Sequence, residues 1–344
     1  MPGEPGRLEP DRADGSAALR GGRHAAGSIQ AWRPNSIRSQ PVIEVVDPGR
    51  YTSIQDRGRP GFERFGIPPG GAVDWFAASV ANHLVGNEPD AALIEATTSG
   101  PTLRFQSEAT IAVTGGHCPD AGFPSWRAHR VDAGFALDLG RVSPGLRTYI
   151  AVRGGIEVPL VLGSRSLCAI GAFGGGVGRP LQKGDRLAIG ATVSSPAVSE
   201  QWPESHRLPI RGPWEVHVVP GPHPDAFDPS AFQRLSATAC LVTPALDRMG
   251  MRLDTPGLRL DATEILTTPM TAGAIQVTPS GGLIALLADH PTTGGYPVIA
   301  SVITADLPLL GQARPGDTVR FRDVGLAEAA RLWRRLSGWL DLSA

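Results

Sequence analysis

Lysine is almost missing from this chain: of 32 basic residues in 344, only Lys183 is a lysine. That scarcity removes whole chemistries. Lys183 is followed by Gly184, so a phosphate-binding G-x-x-x-x-G-K-[ST] loop cannot be built. No Met adjoins Lys183, so there is no carrier lysine in an Ala-Met-Lys-Met setting and no covalent biotin on this chain is expected. Cysteine is nearly as scarce. Cys118, Cys168 and Cys240 form no C-x-x-C pair and no metal spacing, and read as small buried hydrophobes in a reducing compartment. The eight His show no H-E-x-x-H and no clustering, so no metal site is expected. No run approaches the ~20 apolar residues of a membrane span. The N-terminus lacks an apolar h-region, which excludes a secretory signal, and a cytoplasmic location without membrane contact is expected. A net charge of −1 supplies no field for nucleic acid or an anionic membrane surface.

What is abundant is punctuation. The 43 Gly and 32 Pro make up more than a fifth of the chain. Such content favours many short strands with tight turns over a doubly wound sheet. Apolar alternation predicts strands at 42–46, 102–105, 110–114, 136–139, 147–152 and 186–189. A second set falls at 214–219, 239–242, 273–277, 283–288, 298–303 and 318–322. Three helices are predicted: one capped by Asp74 and running to Leu84, one from Asp228-Pro229 through Leu235, and an amphipathic one over Leu326–Leu340. Its docking stripe is read as Leu326, Ala330, Trp333, Leu336 and Leu340.

The chain also repeats itself. Tyr149–Gly155 (YIAVRGG) is echoed by Leu283–Asp289 (LIALLAD), and Lys183–Leu187 (KGDRL) by Pro315–Val319 (PGDTV), at nearly one offset. Two motifs in the same order argue for two homologous β units. The expected organisation is a disordered tail over 1–40, a first domain over 41–201, a linker over 202–213, a second domain over 214–323 and a C-terminal helix over 324–344. The fold class is mainly β: two β units in tandem, barrels or sandwiches, with a few short helices.

Three segments carry side chains suited to chemistry. Thr52–Trp75 (TSIQDRGRPGFERFGIPPGGAVDW) holds Gln55, Asp56, Arg57 and Arg59 on a backbone stiffened by Gly and Pro. It also reads as a surface loop closed by a salt bridge. Ala288–Pro297 (ADHPTTGGYP) follows a strand and offers Asp289, Thr292, Thr293, Gly294 and Gly295, a set able to receive a phosphate, a carboxylate or an oxyanion. A hairpin loop whose side chains satisfy turn amides is the plainer alternative. Thr243–Arg252 (TPALDRMGMR) sets Arg248 beside Asp247, echoing Asp56-Arg57; a desolvated Arg there is a forked donor for an anion. Gln276, inside a strand, needs polar partners if buried. The run Phe173–Pro180 (FGGGVGRP) lacks the G-x-G-x-x-G spacing and reads as a tight loop.

Taken together, these motifs resemble the family of the C-type subunit of 5-oxoprolinase, also described as allophanate hydrolase subunit 2 or the biotin-dependent carboxyltransferase A/B domain. The matching stretches, in family order, include TSIQDRGRPGFERFGIPPGGAVD, SGPTLRF, YIAVRGGIEVPLVLGSRS, GRPLQKGD, TPALDRMGMRL, GAIQVTPSG, LLADHPTTGGYPVIASVI and ADLPLLGQARPGDTVRF. The resemblance implies two cyclophilin-like barrels in one chain. It implies two partners: a B-type subunit related to carboxyltransferase C/D domains and an A-type subunit of the lactam-utilisation class. It implies that the complex opens 5-oxo-L-proline to L-glutamate with ATP as its cofactor. Within that reading Asp289 and Asp56 are the candidates to orient water or take a proton. Gln55, Arg57, Arg248, Gln276, Thr292, Thr293, Gly294 and Gly295 are candidates to bind substrate or phosphate. Two alternatives follow from the same resemblance: a carboxyltransferase component of a urea carboxylase-like biotin enzyme, or a non-catalytic regulatory module paired with a B-type partner.

Overall fold

The structure, a computed structural model, describes residues 42–192, 201–255 and 265–340. The expected tail over 1–40 and the last four residues of the expected 324–344 helix lie outside the described residues. The architecture is mainly β, as expected, with four short helices among the described residues.

The first half contains β1 (Val42–Asp47), β2 (Tyr51–Gln55), helix α1 (Trp75–Val85), β3 (Leu93–Thr97), β4 (Thr102–Phe105), β5 (Ala109–Gly115), β6 (Ala128–Val131), β7 (Ala136–Asp138), β8 (Arg147–Val152), β9 (Ile156–Glu157) and β10 (Arg186–Ile189). They form two five-stranded antiparallel sheets, β7-β4-β1-β10-β9 and β2-β3-β8-β5-β6. Ile43, Val45, Leu103 and Leu187 of one sheet share a buried core with Ile54, Ile94, Ile111 and Ile150 of the other. The opposite face of the second sheet is apolar too, because Leu93, Ala112, Tyr149 and Ala151 pack against Phe76, Val80 and Leu84 of α1. Asp74 caps that helix by accepting the Ala77 N–H at 2.9 Å, and Gly86 ends it at φ 71°.

The second half contains β11 (Trp214–Pro220), α2 (Ala231–Ala237), β12 (Ala239–Leu246), β13 (Gly250–Asp254), β14 (Thr268–Pro269), β15 (Ala274–Val277), β16 (Leu283–Leu286), β17 (Thr293–Gly294), β18 (Val298–Val302), α3 (Leu307–Gln312), β19 (Thr318–Asp323) and α4 (Leu326–Trp339). Seven strands close a barrel in the order β11-β18-β15-β16-β13-β12-β19. The seam is the parallel pair β11–β19, with Trp214 opposite Val319.

The sequence repeat has a structural counterpart. In the first half Gly184 N donates to Val45 O at 2.8 Å and Val45 N to Asp185 O at 2.9 Å; in the second, Gly316 N donates to Val242 O and Val242 N to Asp317 O, both at 2.9 Å. The same Gly-Asp turn thus docks on the equivalent strand in both halves.

Two readings need correction. Helix α4 docks through Ala329, Leu332, Leu336, Trp339 and Leu340 and through Trp333, whose ring lies 5.3 Å from that of Trp75, whereas Leu326 and Ala330 are exposed. The helix is turned because α1 and Trp202 offer an aromatic surface: Phe76 lies 6.1 Å from Trp339, ring to ring, and 6.3 Å from Trp202. Strands β2, β3, β6, β9, β13, β14 and β17 and helix α3 fall outside the predicted set. In β2 and β3, polar Thr52, Ser53 and Gln55 and the single carboxylate Glu95 interrupt the apolar pattern although all are buried.

Candidate functional site

The two most polar motifs meet between the halves. The Thr52–Trp75 segment leaves β2, turns at Gly58 and returns along Pro69–Gly71, held by Arg59 N donating to Pro69 O at 2.7 Å. Gly58 has φ +84°, and a Cβ there would lie 2.5 Å from Pro69 O, so only glycine fits. Gly70 N then donates to Ala288 O at 3.1 Å, joining the first-half loop to the end of the strand that delivers Asp289.

Arg248 closes this seam. Its Nε and Nη2 donate to the two oxygens of Asp289 at 2.8 and 3.0 Å, and Nη2 also donates to Gly71 O at 2.6 Å. Its Nη1 donates to Glu95 Oε1. Glu95 Oε2 accepts Val73 N and Tyr149 OH, each at 2.9 Å. Arg147 Nε lies 4.0 Å from Glu95 Oε1. Farther along, Tyr149 OH accepts Asp74 N at 2.8 Å, and Gln312 Nε2 donates to Asp74 Oδ2 at 2.6 Å. Gln312 Oε1 accepts the amides of Leu146 and Arg147 at 3.0 and 3.1 Å. Glu95, Arg147, Tyr149 and Asp74 come from the first half; Arg248, Asp289 and Gln312 come from the second.

Arg147 and Arg248 are therefore buried together with Glu95 and Asp289, and a third buried carboxylate, Asp74, lies at the far end of the same network. Burial works against the Arg248 charge, but Asp289 and Glu95 outweigh it and hold the guanidinium well above its ordinary range. Burial pushes Arg147 down. It also raises the Tyr149 phenol, with Glu95 and Asp74 adding to the effect. Burial raises Asp74 to about 6 against the pull of its hydrogen bonds.

Arg147, Arg248 and Asp289 form part of the lining of a cleft of about 440 Å³ between the halves. Tyr51, Thr97 and Thr98 line it from the first half, and Leu246 and Met249 give it apolar surface from the second. A second cavity, of about 320 Å³, is lined by Asp56, Arg57, Gly70 and Ala288 among others. A cleft of the first kind, apolar with a few fixed polar groups, suits a small molecule better than a polymer.

The predicted residues separate into three groups. Arg248 and Asp289 sit at the cleft. Asp56 is committed to structure, since its carboxylate accepts Gly58 N, Ser164 Oγ, Arg165 N and Ser166 Oγ at 2.5–2.7 Å. Arg57 beside it is exposed at the second cavity. Gln55 is fully buried, with Nε2 donating to Ser53 Oγ at 2.9 Å and Oε1 unpartnered among the described residues. The remaining residues lie elsewhere: Thr293–Gly294 pairs with Thr268–Pro269, Thr292 O accepts Met270 N at 2.9 Å, and Gly295 O accepts Ile265 N at 3.2 Å. Gln276 Nε2 contacts Met270 Sδ at 3.6 Å on that same side. None of Gln276 and Thr292–Gly295 lines the cleft. The Gly-rich 173–178 loop wraps Arg59, whose guanidinium lies 5.1 Å from the Phe173 ring centre.

The family model for the carboxyltransferase domain, subdomain A and B, matches residues 65–323. The chain belongs to this family. As a carboxyltransferase A/B domain it is 35% identical over 296 residues to the C-type subunit of 5-oxoprolinase from Escherichia coli, covering 84% of this chain and 94% of that protein. It is 36% identical over 317 residues to urea amidolyase of Lachancea kluyveri, covering 85% of this chain but only 17% of that much longer protein. In structure it matches the K. lactis urea amidolyase with a TM-score of 0.82 at 32% identity, over 88% of this chain and 20% of that one. No helix among the described residues is long and apolar enough to cross a membrane.

Within this A/B domain, the residues that sequence reasoning missed are Glu95, Arg147, Tyr149, Asp74 in its seam role, and Gln312. One signal was available: a lone carboxylate in the apolar run Leu93–Thr97 calls for a buried cation. The Ser164/Ser166 clamp on Asp56 had none, since it depends on contacts more than 100 residues apart.

Proposed function

We propose that this chain is the C-type subunit of an ATP-dependent 5-oxoprolinase, working with A-type and B-type partners to open 5-oxo-L-proline to L-glutamate. The observation that carries this reading is the near end-to-end match to proteins named as that 5-oxoprolinase component: 94% of the Escherichia coli protein and 97% of that from Haemophilus influenzae are covered. Size and lining of the cleft support it. A five-membered lactam bearing one carboxylate fits a cleft of about 440 Å³ with apolar walls and two buried arginines.

Opening a lactam requires its unreactive carbonyl to become electrophilic, which phosphorylation of the carbonyl oxygen by ATP achieves. Water then adds to that carbon and the C–N bond breaks, so that nitrogen leaves as the amine and the carboxyl carbon remains as an acyl phosphate. A second water releases phosphate and leaves the free side-chain carboxylate of glutamate. ATP is used at the level of the complex. In this scheme Asp289 accepts the lactam N–H or orients the water, with Arg248 fixing the carboxylate by its fork. Arg248, paired with Asp289, supplies positive potential where charge develops on oxygen. Asp56 holds the loop, and Arg57 meets anionic groups at the second cavity.

A second reading has its own support. Relatives named urea amidolyase match at 36% identity, and the structural likeness to urea amidolyase is high. On that reading the chain is the carboxyltransferase component of a biotin-dependent enzyme, with the carrier on another chain. One reconstitution separates the two. Purified chain with its A-type and B-type partners should release glutamate only with ATP and 5-oxoproline together. No glutamate from folded, assembled components overturns the first reading. Carboxylation of urea by added carboxybiotin carrier would then establish the second.

A further inference from the structure

One edge of the cleft carries hydrogen-bonding capacity that the described chain does not use. Strand β3 ends at Thr97 and β8 begins at Arg147, and these two residues are direct cross-strand partners. Thr97 Oγ1 is buried without a hydrogen-bond partner among the described residues; Arg147 Nε also makes no hydrogen bond there, its one anionic contact being Glu95 Oε1 at 4.0 Å. Arg147 is 1% exposed. Its Nη1 donates to Gly311 O at 2.5 Å and its Nη2 to Asp247 O at 3.3 Å. Native proteins leave few such groups unpaired, and those that remain call for an explanation.

The next residue adds a second, independent oddity. Thr98 has φ 71°, a region that a β-branched residue rarely occupies except where function holds it there. Its N–H donates to Leu146 O at 2.8 Å and its carbonyl accepts Val142 N at 3.0 Å, so the backbone is fixed. Its hydroxyl makes no hydrogen bond among the described residues. Thr97, Thr98 and Arg147 all line the cleft that contains Arg248 and Asp289.

We propose that Thr97, Thr98 and Arg147 form a carboxylate-binding edge that holds the anionic end of a small amide while its amide group faces Asp289. Two hydroxyls and a guanidinium are donors to both oxygens of a carboxylate. A dianionic phosphate suits the edge less well, because Glu95 and Asp289 already balance the two buried arginines. The inference rests on the reading of the cleft as a small-amide site, and deepens it by saying which residues recognise the acid.

The test is calorimetric titration of the full chain with 5-oxoproline and with its neutral primary amide, a probe of nearly equal size. Wild type should prefer the acid tenfold or more. Thr97→Val and Thr98→Gly should each cut that preference below threefold while changing affinity for the amide less than twofold. Thr98→Gly keeps the fold testable, because glycine accepts the positive φ without strain. An unchanged preference in both variants overturns the proposal, as does a wild type with no acid preference. If the reconstituted complex makes no glutamate, the 5-oxoproline reading fails by itself. The same titration with acetate against acetamide then decides the edge alone.

Discussion

Replacing Arg248 by Met removes its charge and all four of its hydrogen bonds in the seam while keeping an unbranched side chain. Two bonds go to Asp289 at 2.8 and 3.0 Å, one to Gly71 O at 2.6 Å and one to Glu95. The two carboxylates left behind differ. Glu95 keeps Val73 N, Tyr149 OH and Arg147 at 4.0 Å. Asp289, with no other side-chain hydrogen-bond partner among the described residues, becomes a buried, unpaired charge. Breaking one side of such a pair costs about 3–5 kcal/mol, whereas the sum of four separate bonds would overstate it. Most of the penalty should sit at Asp289, so adding Asp289→Asn should restore about 1–3 kcal/mol as a coupling energy. Urea unfolding of wild type, both single variants and the double variant measures this directly. A loss under about 1 kcal/mol for Arg248→Met, or additive single effects, would refute the view that the seam is one electrostatic unit.

In the reconstituted complex, Asp289→Asn should lower turnover by about 100-fold or more without releasing the chain from its partners, and wild-type rates would remove Asp289 from the chemistry. The raised Asp74 gives a pH signature with a definite sign. Its folded value of about 6 exceeds the ordinary 3.8, so the folded state holds a proton that the unfolded state has lost, and stability falls as pH rises from about 4 to 6. At about 1.4 kcal/mol per unit this amounts to roughly 3 kcal/mol. Subtracting the profile of Asp74→Ser, which keeps the helix cap, should isolate it, and parallel profiles would contradict it. Gly58→Ala should destabilise by about 2 kcal/mol or more, because the added Cβ meets the Pro69 carbonyl at a positive φ; a neutral thermal melt would count against the described turn. Arg57→Ala should leave stability within about 0.5 kcal/mol but raise the KM of an anionic ligand in the assembled enzyme. An unaltered KM would assign Arg57 to solvent.

Strands with uninterrupted apolar pattern, such as Arg147–Val152 and Leu283–Leu286, were legible, as was the Asp74 cap, because one local rule decided each. The Gly-Asp turn was legible twice over, since its two copies dock alike. The site was half legible. Arg248 and Asp289 stood out as polar residues in Gly-rich or Pro-rich surroundings, yet nothing local distinguished them from Thr292–Gly295, which pack against 265–270 instead. Asp56 looked the same as Asp289 in sequence. Only the distant Ser164 and Ser166 hydroxyls show that its carboxylate is already occupied. Thr97 and Arg147 become neighbours through cross-strand register, a quantity that depends on pairing rather than on composition.

The β11–β19 seam has a consequence for how the chain is made. Trp214 must wait for Val319, about a hundred residues downstream, before the barrel can close, and closure over so long a loop is slow. The first half leaves the ribosome well before that moment. Until β19 is synthesised, Glu95 and Arg147 belong to a first half whose inner wall is open to water. The cleft is therefore a late product of translation, and a nascent chain stalled before β19 would carry every predicted site residue without a completed site.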